Sequence, residues 1–279
     1  MNIKLKKAII IDRPSKTIKS PYLADIIIKD LIELAHSPSL GLCGLIINET
    51  QVMVSTCEEG CRKSKYTIEL VYINNVGWIG ANPQYGNKIF SSFINKFSEF
   101  NEYKIEKAEI KVLNSRLDFL LVNDKNEKFY VEVKNVPLVD SVNSDKSNND
   151  SDKSKKLDNS DNKSKKSSQI AAIFPDGYKN SKNQCISDRA YKHLEELIEL
   201  KKKGFRTALV FIIQREDPEF FKPNYARDKI YSEKLKEAYD KGVEIYAYKF
   251  KWIIKNNIGS CKFIKKIPIN LENYLQNNK

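Results

Sequence analysis

The sequence SRLDFLLVNDKNEKFYVEVKNV, residues 115–136, carries the most informative pattern in this 279-residue chain. It predicts two strands joined by a polar turn, because side chains alternate between the faces of a strand and Asn and Asp favour turns. In the first strand Arg116, Asp118 and Leu120 fall on one face, and Leu117, Phe119 and Leu121 fall on the other. In the second, Glu132 and Lys134 share one face. Pairing of the two strands as a hairpin brings Asp118 close to Glu132 and Lys134.

These three residues allow two interpretations. Paired carboxylates form an oxygen site for a hard divalent cation such as Mg²⁺, which needs only one or two carboxylates plus water and substrate phosphate. The cation would lower the pKa of a bound water, and Lys134 would orient that water or neutralise developing charge. Alternatively, the three are surface charges that form weak cross-strand pairs.

The chain before this hairpin predicts a helix and a further strand. Apolar residues in 87–100 recur at helical spacing, which indicates an amphipathic helix packed on a core. Residues 107–113 read as a strand. Glu109 in this strand is either a further carboxylate at the metal or a surface charge.

Short apolar runs divided by turn residues fill the first 80 residues. They lie at 22–28, 31–36, 44–47, 51–54 and 66–73 and predict a small, OB-fold-like β-barrel domain over residues 1–81. Such barrels often bind single-stranded nucleic acid with basic and aromatic side chains. Arg62, Lys63 and Lys65 are candidates for that contact, and an ordinary solvated loop is the simpler alternative.

The remainder predicts an α/β (α+β) domain over 82–252. Residues 140–168 contain seven Lys and six Asp among Ser and Asn and are expected to form a disordered insertion, since they cannot bury enough apolar surface to order. Helices follow at 188–203 and 230–241, the first capped by Ser187 or Asp188. A nearly continuous apolar run at 207–213 is typical of a central strand, and 243–248 is a last strand before a weakly patterned tail, 253–279.

The composition narrows the possible partners and the compartment. The net charge of +12 suits a polyanion such as nucleic acid, although a basic proteome from an AT-rich genome would give the same surplus. The five cysteines are scattered and do not match a structural zinc site. No apolar run reaches the length of a membrane span, so a soluble cytoplasmic protein without membrane contact is expected. The oligomeric state is left open.

The predicted order of helices and strands resembles the PD-(D/E)XK nucleases, with Leu117-Asp118 in place of the usual Pro-Asp. A closer resemblance, to the sugar fermentation stimulation protein A (SfsA) family, rests on motifs spread along most of the chain. They are Tyr22-Leu-Ala-Asp25, Ser115-Arg-Leu-Asp-Phe-Leu120, Tyr130-Val-Glu-Val-Lys134, Phe174-Pro-Asp176, Lys192-His-Leu-Glu-Glu-Leu197, Val210-Phe-Ile-Ile-Gln-Arg215 and Gly242-Val-Glu-Ile-Tyr-Ala-Tyr248.

The resemblance implies an N-terminal OB-fold-like barrel, a C-terminal PD-(D/E)XK nuclease-like mixed sheet flanked by helices, DNA binding, and a role in regulating sugar metabolism. It implies that Asp118 and Glu132 hold Mg²⁺ and that Lys134 acts with them in catalysis. Arg116, Arg189, Lys192 and His193 are expected to contact nucleic acid. Asp176, which matches a family motif and would line the same region, and Glu109, from its place in the strand at 107–113, are possible additional site residues. A non-catalytic DNA-binding regulatory module, or an enzyme acting on RNA or small phosphoesters, are the alternatives.

Overall fold

The computed structural model describes residues 1–39, 44–57, 63–142, 169–175 and 185–271. The described residues form a mixed α+β fold in which one large sheet runs from a small β-barrel into a helix-flanked sheet. This confirms the predicted fold class of a small barrel followed by a mixed sheet with flanking helices. No helix within these ranges has the length and apolar character needed to cross a membrane.

Five strands, β2–β6, close the N-terminal barrel. Strand β4 pairs with β3 on one side, and its last two residues pair in parallel with β6 on the other. The strands of this half of the chain are β1 (Asn2–Lys4), β2 (Lys6–Asp12), β3 (Leu23–Ile28), β4 (Leu31–His36), β5 (Gln51–Thr56), β6 (Tyr66–Ile73) and β7 (Gly77–Gly80). The interior of the barrel is filled by Ala8, Ile10 and the inward-facing residues of the other barrel strands.

Two predictions for the barrel were wrong. Residues 44–47 form a turn rather than a strand, because Gly44 has a φ of +100°, a left-handed conformation that does not fit a strand. The fifth strand is β2, whose central residues alternate between buried and exposed positions. Its alternation is concealed in the sequence because the outward position between Ala8 and Ile10 is another isoleucine, Ile9.

A short helix joins the barrel to the second half of the chain. The predicted helix at 87–100 is helical only at α1 (Tyr85–Phe93) and continues as 3₁₀ turns at Ile94–Lys96 and Ser98–Phe100. Phe97 is extended between these turns, and its ring stacks on Tyr248 with centroids 3.9 Å apart. The apolar stripe is therefore buried as predicted, although half of it is not α-helical.

The central sheet of the second half combines antiparallel and parallel pairing. Strands β8 (Tyr103–Val112), β9 (Ser115–Asn123) and β10 (Lys128–Val136) are antiparallel neighbours, and β10 then pairs in parallel with β13 (Arg206–Ile213), which pairs in parallel with β15 (Glu244–Lys255). Helix α1 packs on one face of this sheet. Helices α2 (Asp188–Lys202) and α3 (Lys229–Asp240) pack on the other.

Several strands lie outside the predicted pattern. A small second sheet contains β11 (Leu138–Val142), β12 (Gln169–Phe174) and β14 (Phe220–Pro223). The expected disordered insertion, 140–168, therefore begins inside β11, because Asp140 and Ser141 pair with Ala171 and Ile170. Residues 143–168 lie outside the described ranges. Within the expected tail, residues 253–255 complete β15, and a further strand, β16 (Ile258–Lys266), pairs with β15 and with β1.

Candidate metal centre and nucleic-acid interface

Strands β9 and β10 separate at the point where the predicted acidic residues lie. Their regular pairing ends at Phe119 and Val131. Beyond it, side chains replace the backbone ladder: the N–H of Val133 donates to Oδ2 of Asp118 at 2.8 Å, and the N–H of Asp118 donates to Oε2 of Glu132 at 3.3 Å. Both carboxylates therefore accept hydrogen bonds from the strand backbone of this hairpin, and Asp118 lies close to Glu132, as the sequence pattern predicts.

Glu132 is the most enclosed member of this group. Only 2 % of its side chain is exposed, and its Oε1 accepts a hydrogen bond from Nζ of Lys134 at 2.5 Å. Nδ1 of His193, on α2, also contacts Oε1 of Glu132 and lies 3.3 Å from Nζ of Lys134. A buried carboxylate needs such partners because charge is otherwise costly to remove from water.

The two carboxylates have opposite pKa shifts. Burial, followed by the negative charge of Glu132, raises the pKa of Asp118 from 3.8 to about 6. Burial also acts to raise the pKa of Glu132, but the charge of Lys134 and the contacts with His193 outweigh it and hold that pKa below its ordinary value. The site thus contains one carboxylate neutralised by protein partners and a second whose negative charge lacks a cationic hydrogen-bond partner among the described residues.

Three predicted basic residues surround an open pocket of about 620 Å³ beside this centre. Arg116 comes from the start of β9, and Arg189 and Lys192 come from the first two turns of α2. Buried Glu196 holds the two elements together by accepting hydrogen bonds from the backbone N–H of Asn114, at 3.1 Å, and from the hydroxyl of Ser115. His193, 1 % exposed, lies at the pocket wall next to Glu132 rather than on an open surface.

The other predicted residues lie elsewhere. Glu109 is exposed and pairs with Arg116 at 3.1 Å, so it extends into solvent rather than toward Asp118 and Glu132. On the barrel, Lys63 is exposed, whereas Lys65 pairs with Glu33 at 2.9 Å and lies over the ring of Tyr66. The predicted residues Arg62 and Asp176 fall outside the described part of the chain.

Sequence reasoning missed Asn87. Its Nδ2 donates to Oδ1 of Asp118 at 2.7 Å, and α1 brings it there by packing on the face of the sheet that includes β9 and β10. Only the packing of α1 on the sheet reveals this contact, since no local pattern marks Asn87.

Asp118 and Glu132 are the two acidic side chains that meet at this centre among the described residues. Within the described ranges, no group of three or more His, Cys, Asp or Glu side chains is arranged to hold a metal ion. Each oxygen of Asp118, and Oε2 of Glu132, accepts one hydrogen bond from the contacts above. Since a carboxylate oxygen accepts about two, these three oxygens retain capacity for a cation.

Comparison with known proteins connects this arrangement to one sequence family. Residues 84–144 and 163–256 match the family described as "Sugar fermentation stimulation protein RE domain". A sugar fermentation stimulation protein homolog of Methanosphaera stadtmanae is 34% identical over 232 residues, which cover 81% of each chain. The homolog of Clostridium tetani is 30% identical and matches 88% of this chain and 89% of its own.

A solved structure shares the fold. It is described as "The structure of Pyrococcus Furiosus SfsA in complex with Ca2+" and matches with a TM-score of 0.74. The alignment covers 97% of this chain and 98% of the other at 24% sequence identity. The barrel and the helix-flanked sheet described above therefore occur together in another protein.

Proposed function

Since this chain belongs to the sugar fermentation stimulation protein (SfsA) family, we propose that it binds DNA and hydrolyses phosphodiester bonds at a Mg²⁺ site formed by Asp118 and Glu132. The observation that carries the proposal is the pair of carboxylates held between the separating strands β9 and β10, with Lys134 and His193 both in contact with Glu132. One aspartate followed by Glu-x-Lys is the pattern that the resemblance to the PD-(D/E)XK nucleases predicts for such a site.

The available oxygens suit a hard divalent cation. Mg²⁺ and Ca²⁺ are bound by carboxylate and amide oxygens, and Mg²⁺ commonly needs only one or two carboxylates from the protein. The raised pKa of Asp118, about 6, reflects burial and the nearby charge of Glu132, a cost that a divalent cation would remove. The Pyrococcus furiosus relative was solved with Ca²⁺, an ion of the same oxygen-preferring class.

Protein groups would perform the remaining tasks around that ion. When bound, Mg²⁺ polarises phosphate and lowers the pKa of a coordinated water. The ammonium of Lys134 donates to Glu132 Oε1 and lies 3.3 Å from His193 Nδ1, and the side chain is 14 % exposed. A proton that is not directed at these two partners would orient a water or stabilise negative charge on phosphate. His193 packs behind this pair and fixes the position of Glu132.

The pocket of Arg116, Arg189 and Lys192 supports a polyanionic substrate. Arg189 and Lys192 have no ion-pair partner among the described residues, and Arg116 pairs only with the exposed Glu109. Phosphate contacts of this kind position a nucleic acid without reading its sequence. They would hold the DNA backbone beside the carboxylates, and the exposed Lys63 of the barrel would add to the same electrostatic attraction.

A second candidate is a DNA-binding regulatory module without turnover. Two observations favour this candidate. Oε1 of Glu132 already contacts both Lys134 and His193, and among the described residues no group of three or more His, Cys, Asp or Glu side chains is arranged to hold a metal ion. In that case the acidic pair is retained for the fold, and binding to DNA needs no divalent ion.

Cleavage assays distinguish the two candidates. Labelled single-stranded DNA, double-stranded DNA and RNA are incubated with the protein in Mg²⁺, Mn²⁺ or EDTA. The Asp118→Asn and Glu132→Gln variants are tested beside Glu106→Gln, which neutralises an exposed carboxylate on β8. Metal-dependent cleavage that both site variants lose and Glu106→Gln keeps supports the nuclease. Salt-sensitive binding without cleavage in any metal selects the regulatory module, and preferential cleavage of RNA would replace DNA as the substrate.

A further inference from the structure

The amide of Asn87 has an orientation that the carboxylate of Asp118 determines. An ionised carboxylate only accepts hydrogen bonds, and a side-chain amide has one donating and one accepting end. The group 2.7 Å from Oδ1 of Asp118 is therefore the NH₂ of Asn87. The carbonyl oxygen Oδ1 of Asn87 accepts no hydrogen bond from any described residue, and the side chain is only half-buried.

This free oxygen lies next to an incomplete set of cation ligands. Asp118 and Glu132 are the only acidic side chains at the centre within the described ranges, and one oxygen of Glu132 is already engaged by Lys134 and His193. Hard divalent cations accept amide carbonyl oxygens as well as carboxylates. An amide adds a ligand without adding a third negative charge to a region where burial already disfavours charge.

From these contacts we propose that Asn87 is the third protein oxygen ligand of the divalent-cation site, a role that rests on the proposed function. Helix α1 would thus contribute directly to the centre, beside β9 and β10. The helix is fixed at its start by the barrel: Asn82 donates to buried Glu69 of β6 at 2.8 Å, and its own Oδ1 accepts from the N–H of Gln84 at 3.0 Å. The barrel therefore holds the helix that carries the ligand.

Direct measurement of Mn²⁺ and Mg²⁺ binding by titration calorimetry, with electron paramagnetic resonance to count bound Mn²⁺, tests this role without any activity assay. We expect Asn87→Ala to weaken Mn²⁺ binding by about 10-fold, in the range that loss of a supporting group at a metal site produces. Asn87→Asp should instead tighten it by about 5-fold, because affinity rises with the charge of the ligand set. Without metal, Asn87→Asp should melt at a lower temperature than wild type and gain more from added Mn²⁺.

Asn95→Ala is the matched control, since Asn95 is exposed on the 3₁₀ turn that follows α1, and Asp118→Asn is the loss-of-site control. Affinity unchanged in Asn87→Ala while Asp118→Asn loses binding overturns the role of Asn87 and leaves the proposed function standing. Weaker binding in both Asn87 variants also overturns it, because Asn87 would then act only as a hydrogen-bond donor to Asp118. Absence of ion binding to the wild type overturns this inference together with the Mg²⁺ site.

Discussion

The backbone N–H of Asp118 donates to Oε2 of Glu132 at 3.3 Å, so the second carboxylate of the centre is bound to the main chain of the first. The reciprocal bond, from Val133 N–H to Asp118 at 2.8 Å, completes a side-chain substitute for the strand ladder. Each carboxylate satisfies an N–H that the separation of β9 and β10 would otherwise leave unpaired. The hydrogen bonds of the two carboxylates therefore stabilise the separation of β9 and β10. The repulsion between the two negative charges opposes this and destabilises the folded state.

Neutralising Asp118 should stabilise the protein at neutral pH in the absence of divalent metal. The pKa of Asp118 is about 6 in the folded state against 3.8 ordinarily, so the carboxyl group of Asp118 binds its proton more tightly in the folded state than in the unfolded state. The contribution of Asp118 to the free energy of unfolding therefore falls as pH rises from about 4 to 6, and it stays unfavourable above pH 6. The shift corresponds to roughly 3 kcal/mol at ~1.4 kcal/mol per pH unit, less ~1 kcal/mol for a hydrogen bond that the amide cannot accept.

Thermal unfolding of Asp118→Asn at pH 4 and pH 8, in EDTA, measures this effect. A net gain of about 2 kcal/mol at pH 8 corresponds to a Tm increase of roughly 5 °C, and the gain should disappear near pH 4. The control is Asp124→Asn, whose carboxylate is 94 % exposed and should leave Tm unchanged. A lower Tm for Asp118→Asn than for wild type at pH 8 would contradict the expected repulsion.

Removing the charge of Lys134 should destabilise the fold through Glu132. In the wild type the lowered pKa of Glu132 stabilises the folded state above pH 4.5, and this stabilisation is lost as pH falls. In Lys134→Met burial prevails, the pKa of Glu132 rises, and a charged group is left with one fewer partner. We expect a loss of about 3 kcal/mol at pH 7, as for other broken buried pairs, and a smaller loss at pH 5.

A double-mutant cycle with Glu132→Gln isolates this interaction in chemical denaturation experiments. The double variant Lys134→Met/Glu132→Gln should recover about 2 kcal/mol relative to Lys134→Met alone, because it no longer buries an unbalanced charge. Additive effects of the two substitutions would show that Lys134 contributes packing rather than charge neutralisation.

Local pattern predicts the hairpin of the centre but not its neighbours. The alternation of polar and apolar residues at 116–119 and 131–134, together with a polar turn, is sufficient to assign faces, because strand geometry is set by adjacent residues. The contacts of Asn87 and His193 depend on how α1 and α2 pack from opposite faces of the sheet. No pattern in either helix records that arrangement, so the predicted site lacked Asn87 and left His193 without its partner.

The difference between local pattern and long-range packing also explains the errors in the predicted strands. The apolar run at 44–47 resembled a strand, but Gly44 has a left-handed conformation. Strand β16 was missed because its polar and apolar residues do not alternate regularly. Lys262 and Lys265 are exposed, while Cys261 is buried. It is stabilised by pairing with β15 and with β1 at the far end of the chain, a long-range contact that short windows do not contain.

Removal of two charges from the pocket beside the centre should reduce the salt dependence of DNA binding. Each phosphate contact contributes about 0.9 to the slope of log K against log salt for duplex DNA. The Arg189→Gln/Lys192→Gln variant should therefore lower the magnitude of the slope by about 1.8, as measured by fluorescence anisotropy between 50 and 200 mM salt. The charge-matched control Lys255→Gln/Lys262→Gln changes exposed lysines of β15 and β16. Equal slopes for the two double variants would exclude the pocket as the DNA contact.

A methyl group at Gly80 should disturb the junction between the barrel and the sheet. A Cβ there would lie 2.5 Å from Cδ and 2.7 Å from Cβ of Gln214, distances that require Gln214 to move. Gln214 donates to Oδ1 of Asn135 at 2.5 Å and accepts from Nε1 of Trp252 at 3.0 Å, so both buried bonds would be strained or lost. We expect Gly80→Ala to cost about 3 kcal/mol and to shift tryptophan emission in the folded state.

Gly204→Ala is not a suitable control for this substitution, since Gly204 has a φ of +88°. Ser91→Ala, on the exposed side of α1, should change neither the stability nor the tryptophan emission. Wild-type stability in Gly80→Ala would mean that Gln214 has space to withdraw and that its two bonds do not hold the junction together.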